Sequence, residues 1–404
     1  MTKDIFKPAD IMLPDKALME LWSVIACDQY SSEREYWERV RKNIGGAPST
    51  LNMIIPEAYL EDLSEERETE KIRAAMDKYI DDGLLNEIKD SFIYLERTLQ
   101  DGTVRQGLVG TVDLEQYSFS KGDAAILASE GTVLERLPAR VQIRKAASME
   151  LPHIIAFIND KEETVIGPIA HNADKLPLLY DFDLMEGGGH IRGMRVSGND
   201  ANAVLSAIQA LGKNNGPLMI IGDGNHSLAA AKVYWDELKT TLCDAEREKH
   251  PASRALVEIN NVYDPAISIE AIHRVVFNAN TEGLLTALEN ALPGGSDYNL
   301  RWISNGKEGK IGVSASCIGD ILIVMQEVMD DFVAKTSCRI DYIHGEESVR
   351  RLAEGERCLG LILPAMEKSE LFTTVAGGRV FPRKSFSVGH AGDKRYYLEC
   401  RKIK

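Results

Sequence analysis

The sequence has no stretch approaching the ~20 consecutive apolar residues that a membrane helix requires, and its longest apolar clusters are broken by Gly or Asp. A helical membrane span is therefore excluded. The N-terminus, MTKDIFKPADIMLPDK, lacks an apolar core followed by a small-residue cleavage site, so no secretory signal is expected. Its six cysteines stand at 27, 243, 317, 338, 358 and 400, never at C-x-x-C spacing, which argues against a zinc ribbon or a thioredoxin-like motif. No two of the eight histidines lie within five positions of each other. That leaves no H-E-x-x-H pair, and no metal site is expected. Basic residues are in deficit, 47 Lys and Arg against 62 Asp and Glu, for a net charge of −15. A nucleic-acid partner is not expected of such a balance, because backbone binding needs a basic footprint. A small anion in one locally basic pocket stays compatible with it.

What is present reads as a globular protein. At 404 residues, with 44% hydrophobic and 27% charged, the chain suggests two to three packed units. Reduced thiols and a cytoplasmic location are the expectation. Three segments are distinguished: 1–90, mostly helical; 91–280, an α/β core; and 281–404, a C-terminal α/β part. In 64–82, Ile72, Met76, Tyr79 and Ile80 line one helical face before the Asp82-Gly83 stop. Ser91–Leu99 and Gln106–Leu114 flank a Gln100-Asp101-Gly102 turn and predict a hairpin. The segments 153–158 and 164–169 predict a second pair of strands, and Leu178–Met185 with His190–Ser197 a third, which makes His190 a hairpin residue. Val204, Leu205, Ile208 and Leu211 mark a helix closed by Gly212. Beyond Pro265 come a strand Cys338–Ile343, a helix from Glu346 and a buried strand Cys358–Leu363. The fold class is α/β, with α and β elements on a mixed sheet.

The most informative arrangement is a buried strand, Pro217–Ile221, entering Gly222-Asp223-Gly224-Asn225-His226-Ser227 and then an Ala-rich helix from Leu228 to about Glu248. A helix start leaves backbone N–H groups without intrahelical partners, and the macrodipole makes them an anion site. Gly222 and Gly224 permit a sharp turn and a close approach to a phosphate or carboxylate. His226 is a candidate proton donor or acceptor, and Asp223 a candidate base or orienting group. The competing expectation is that Asp223 or Asn225 merely caps the helix. No Gly-Lys-Ser/Thr follows, so this is not the loop of nucleotide hydrolases. The third glycine of a dinucleotide fingerprint is also missing.

The loop resembles the A-D-G-H-H-R-x-x-A signature of a bacterial and archaeal family, domain of unknown function 1015. Similar segments include Arg140 onward into Glu150-Leu-Pro-His153, Tyr180–Met185, Asp341-Tyr-Ile-His-Gly345 and Arg379–Ser387, so the resemblance spans essentially the full length. The loop is also similar to the Gly-rich loop of the ParB and sulfiredoxin-like superfamily, which contains DNA-partition proteins, ATP-using sulfiredoxins and kinases of free serine. That resemblance implies a ParB/sulfiredoxin-like core with added strands and helices, and a helix start that receives phosphates. Two departures stand out: Asn225 replaces the first histidine, and Ser227 replaces the arginine. A basic residue from elsewhere must then supply the charge, with Arg136, Arg383 and Lys384 as candidates. Glu130, Thr132 and Arg136 match a family pattern in which Glu130 is a candidate general base, and His344 is the best second histidine.

These readings converge on a ligand site formed by Asp223, Asn225 and His226, with Gly222, Gly224 and Ser227 as backbone contacts, Arg136, Arg383 and Lys384 as ligand contacts, and Glu130 and His344 as acid–base candidates. The function they suggest is phosphoryl transfer to a small metabolite, serine or phosphoserine, using ATP or ADP with Mg²⁺. A non-catalytic regulator that binds a nucleotide or phosphometabolite is the alternative. ParB-like DNA binding ranks third, because of the charge.

Overall fold

In the computed structural model, which describes residues 5–26, 33–59, 64–120, 122–212 and 216–404, two sheets share a core. The larger is mixed, and its main path runs in the order 178–183, 190–196, 85–98, 104–113, 254–261, 155–158, 219–223, 126–128, 117–118. The N-terminal strands Phe6–Lys7 and Ala9–Pro14 attach to 104–113 and 85–98. The smaller sheet runs 307–313, 294–304, 359–362, 269–277, 339–344, and Phe386–Val388 adds to 269–277. The chain is thus of the mixed α/β class.

The strand Met219–Asp223 opens on an apolar run, Met219–Ile221, that is buried on both faces. Met219 and Ile221 pack with Leu228, Ala230, Ala231 and Trp235 of the helix Asn225–Leu238. Ile220 points the other way, into a core shared with Leu300, Ile311 and Leu361 of the smaller sheet. The strand pairs parallel with Ile126–Ala128 and antiparallel with Ile155–Ile158, and its register slips at Gly222. Glycine is required at this point: a Cβ at Gly222 would stand 2.2 Å from the Phe157 ring.

Most expected elements are present. The helix Glu65–Asp81 buries Ile72, Met76 and Tyr79, and the hairpins 85–98/104–113 and 178–183/190–196 form as expected. His190 sits opposite Asp183 in the second of these hairpins. Two expectations fail. Residues 164–169 are not a strand: Asp160 accepts from Thr164 Oγ1 and Val165 N, which curls the chain, and Pro168 opens a short helix, Gly167–Ala170. The strand Ile155–Ile158 pairs instead with Met219–Asp223 and Arg254–Asn261. The long Ala-rich helix is also broken. It ends at Leu238, where the Thr240 and Thr241 hydroxyls take the carbonyls of Glu237 and Leu238, and a second helix starts at Asp244.

Two segments tie the sheets together beside the loop. Phe381 forms a parallel bridge with Glu130 at the end of the Ile126–Ala128 strand: Phe381 N donates to Ser129 O at 2.9 Å, and Gly131 N to Phe381 O at 3.1 Å. Further along, Arg395 is buried between Glu258 (2.7 Å) and Glu399 (2.6 Å) and donates to Pro152 O, which fixes the chain directly after Lys394. Among the described residues no helix is long and apolar enough to cross a membrane.

Candidate functional site

The loop sits at the junction of the two sheets, where the strands Ile126–Ala128 and Met219–Asp223 end side by side. Gly224 precedes the helix in a left-handed conformation, φ 79° and ψ 23°, and a Cβ there would lie 2.9 Å from Ile154 Cγ1. Only glycine meets both conditions. No side chain caps this helix. The capping expectation is therefore corrected: Asp223 turns away from the first-turn amides, its Oδ1 accepting from Gly224 N at 2.8 Å and its Oδ2 from Lys394 Nζ at 3.0 Å. The half-buried residues 224–227 form the uncovered helix start.

Burial pushes the Asp223 carboxyl up. Lys394, His153 and the Gly224 N–H outweigh it, so the group titrates below its usual value. It is a carboxylate neutralised by an ammonium, and the helix dipole beyond it stays unopposed. Asn225 donates from Nδ2 to Ser129 Oγ at 3.3 Å, while its Oδ1 is buried with no partner, an acceptor positioned for a donor group on a ligand. His226 accepts the Val133 N–H at Nε2, 3.2 Å, which fixes the segment after Glu130 against the loop.

Glu130 stands at the next strand end. Its carboxylate accepts from Lys384 N at 3.2 Å and Ser385 N at 3.1 Å. Burial raises its carboxyl to about 7, against the N–H groups of Lys384, Ser385 and Phe386 and the charge of Arg274. A carboxyl held near neutrality is what general-base work requires.

The structure therefore gathers Asp223, Gly224, Asn225, His226, Ser227 and Glu130 at one junction, with the backbone of Lys384 and Ser385 against Glu130 and Arg383 next to them in the chain. Gly222 serves packing against Phe157. His344 ends the strand Arg339–His344, exposed, two residues beyond Tyr342 on the same face. The side chain of Arg136 lies outside the described residues. Sequence reasoning missed Lys394. It is one of three consecutive charged residues, 393–395, and nothing in that run announces that 394 and 395 are buried. It missed Ser129 as well, whose hydroxyl is visible as a partner only when the two strand ends are adjacent. Among the described residues no group of three or more His, Cys, Asp or Glu side chains is arranged to hold a metal ion.

Several solved structures are similar to the chain. Free serine kinase in complex with AMP matches at 13% identity and a TM-score of 0.39, over 73% of this chain and 90% of that one. A conserved hypothetical protein from Pyrococcus furiosus matches at 12% and 0.35, over 73% and 94%. SbnI with C-terminal truncation from Staphylococcus aureus matches at 10% and 0.38, over 70% and 82%. No curated protein matches. The signature loop and the segments that surround it run together along nearly the whole chain, and the family model described as "Protein of unknown function (DUF1015)" matches residues 7–397: the chain belongs to that family.

Proposed function

We propose that the start of the Asn225–Leu238 helix receives the phosphates of a nucleotide and that the protein transfers a phosphoryl group from it to a small hydroxylated metabolite. The observation that carries this reading is a helix start with no side-chain cap, preceded by a left-handed glycine and by a carboxylate already neutralised by Lys394. Main-chain N–H groups at such a start bind phosphate directly. Lys394 balances Asp223 beside the position where a family arginine has become Ser227, so the pair leaves no net negative charge to oppose a phosphate there.

Transfer needs little covalent chemistry from the protein. The acceptor hydroxyl oxygen forms a bond to the terminal phosphorus as the bond to the nucleotide's bridging oxygen breaks, and the hydroxyl proton passes to Glu130. ATP leaves as ADP, or ADP as AMP. Asn225 Oδ1 is the acceptor that would orient a donor group of the nucleotide. A Mg²⁺ ion arriving with the nucleotide supplies charge neutralisation on the phosphates. Serine and phosphoserine are the acceptor and product to test first.

A second reading, a regulator that binds without turnover, is favoured by one observation: Glu130 and His226 both already accept main-chain N–H groups. A thermal-shift series with ATP, ADP, serine and phosphoserine, each with and without Mg²⁺, followed by an assay of phosphate exchange between serine and the nucleotide, separates the two. A nucleotide at 100 times its Kd stabilises by about 2.7 kcal/mol. Stabilisation with exchange supports transfer, and stabilisation without exchange supports the regulator. No shift with any nucleotide contradicts both.

A further inference from the structure

A second concentration of positive charge lies beyond Glu130 and is not accounted for by the helix start. The strand Ile269–Phe277 places Arg274 opposite Tyr342. Arg274 has no exposed surface. Its Nε donates to Gln326 Oε1 at 3.2 Å, and its Nη1 to Ile272 O at 2.6 Å and Lys384 O at 2.9 Å. Nη2 is buried and has no partner. The Arg274 guanidinium carbon lies 4.4 Å from the centre of the Tyr342 ring, with Lys384 Nζ at 5.6 Å and the Arg383 guanidinium carbon at 5.9 Å. Three cations thus share one aromatic ring.

The nearby carboxylates are already engaged. Glu130 takes the Lys384 and Ser385 N–H groups, and Asp330 takes Gln326 Nε2 at 2.9 Å. Among the described residues neither Arg383 nor Lys384 forms an ion pair, although both are exposed in a chain of net charge −15. Burial lowers the Arg274 guanidinium to about 10; Tyr342, Glu130 and Asp330 act against it, and the neighbouring Arg383 adds a smaller lowering. Lys384 is also held at φ 56°, a left-handed conformation disfavoured for any residue with a side chain. Glu130 and Arg274 grip it from both sides, and Ser385 Oγ closes the turn on Pro382 O at 2.6 Å. Strain and like-charge crowding kept at one place, with a buried donor left over, mark a site built for an anion.

We propose that Arg274, Tyr342, Arg383 and Lys384 form a second anion subsite, which holds the carboxylate or phosphate of the acceptor while Glu130 faces its hydroxyl. The assignment rests on the transfer reading above for the role of Glu130. It narrows the substrate to a small molecule with a hydroxyl a few atoms from an anionic group. It also separates the basic residues into two sets, Lys394 at the nucleotide loop and Arg383 with Lys384 at the acceptor.

The test is isothermal titration of the full chain, in phosphate-free buffer, with L-serine, glycerol 3-phosphate and ADP separately. The double variant Arg383→Gln/Lys384→Gly serves for comparison; both positions are exposed, and glycine is at ease at this φ. One of the two small ligands, L-serine through its carboxylate or glycerol 3-phosphate through its phosphate, is expected to bind the wild type and to bind the variant about tenfold or more weakly, a change of roughly 1.4 kcal/mol, while the ADP affinity stays within about twofold. Serine as the ligand identifies a carboxylate, and glycerol 3-phosphate a phosphate. If the variant binds both small ligands as the wild type does, or the wild type binds neither, the subsite is overturned. The anion arm is read without nucleotide, so a failure of ADP to bind contradicts the nucleotide reading alone.

Discussion

Lys394 Nζ stands 3.0 Å from Asp223 Oδ2, 171 residues away in the chain, and this pair fixes the turn that presents the Asn225–Leu238 helix. The same Asp223 holds the Gly224 N–H through its other oxygen. The loop therefore owes its shape to a C-terminal residue as much as to its own glycines.

Replacing Lys394 with methionine leaves a carboxylate, only about a quarter exposed, without its counter-charge. The expected loss is about 1–3 kcal/mol, below that of a fully buried pair because water still reaches Asp223. Urea unfolding of Lys394→Met and of Lys394→Met/Asp223→Asn checks it. The double variant should recover most of the loss, and strictly additive losses would show that the pair carries no coupling.

Gly222→Ala drives a Cβ into the Phe157 ring. Overpacking of this kind costs about 1–3 kcal/mol. Trimming the ring in Gly222→Ala/Phe157→Leu should relieve part of that cost. A Gly222→Ala protein of wild-type stability but without ligand binding would instead make Gly222 a ligand contact.

Glu130 titrates near 7, above the ordinary 4.5. A group raised in the folded state contributes stability that is complete below its unfolded value and declines as pH rises through its folded value. Wild-type stability should therefore fall between about pH 4.5 and 7 relative to Glu130→Gln. Any transfer activity should rise over the last part of the same window and be lost in the variant. Parallel stability profiles for the two proteins would contradict the raised value.

His226 accepts the Val133 N–H. Removing the imidazole in His226→Ala should speed amide exchange at Val133 by about tenfold, the equivalent of one hydrogen bond. Unchanged exchange would mean that the segment after Glu130 is held by other contacts.

Much of this was legible in the sequence, because periodicity and turn residues are local signals. The hairpin at Gln100–Gly102 and the helix containing Ile72 and Met76 were open to reading, and so was the passage from strand to glycine loop to helix at 219–225. Reading failed where a side chain overrode the pattern. Asp160 curled a segment whose apolar residues suggested a strand, and the Thr240 and Thr241 hydroxyls ended a helix whose composition favoured continuing. In the site, the loop residues and Glu130 were legible as candidates. Lys394 was not, because its significance depends on which residue 171 positions away it meets. The grouping of Arg274 with Arg383 and Lys384 around Tyr342 likewise exists only once two strands and a returning segment are assembled.

The most direct test of the helix start is the titration of ADP into the wild type and Ser227→Glu. An acidic residue in the first turn favours the helix itself, so the variant keeps its fold while placing a negative charge where the phosphates are to bind. The account predicts ADP binding to the wild type and a loss of about a hundredfold or more in the variant, with thermal stability equal or higher. Equal affinity for both proteins would contradict it.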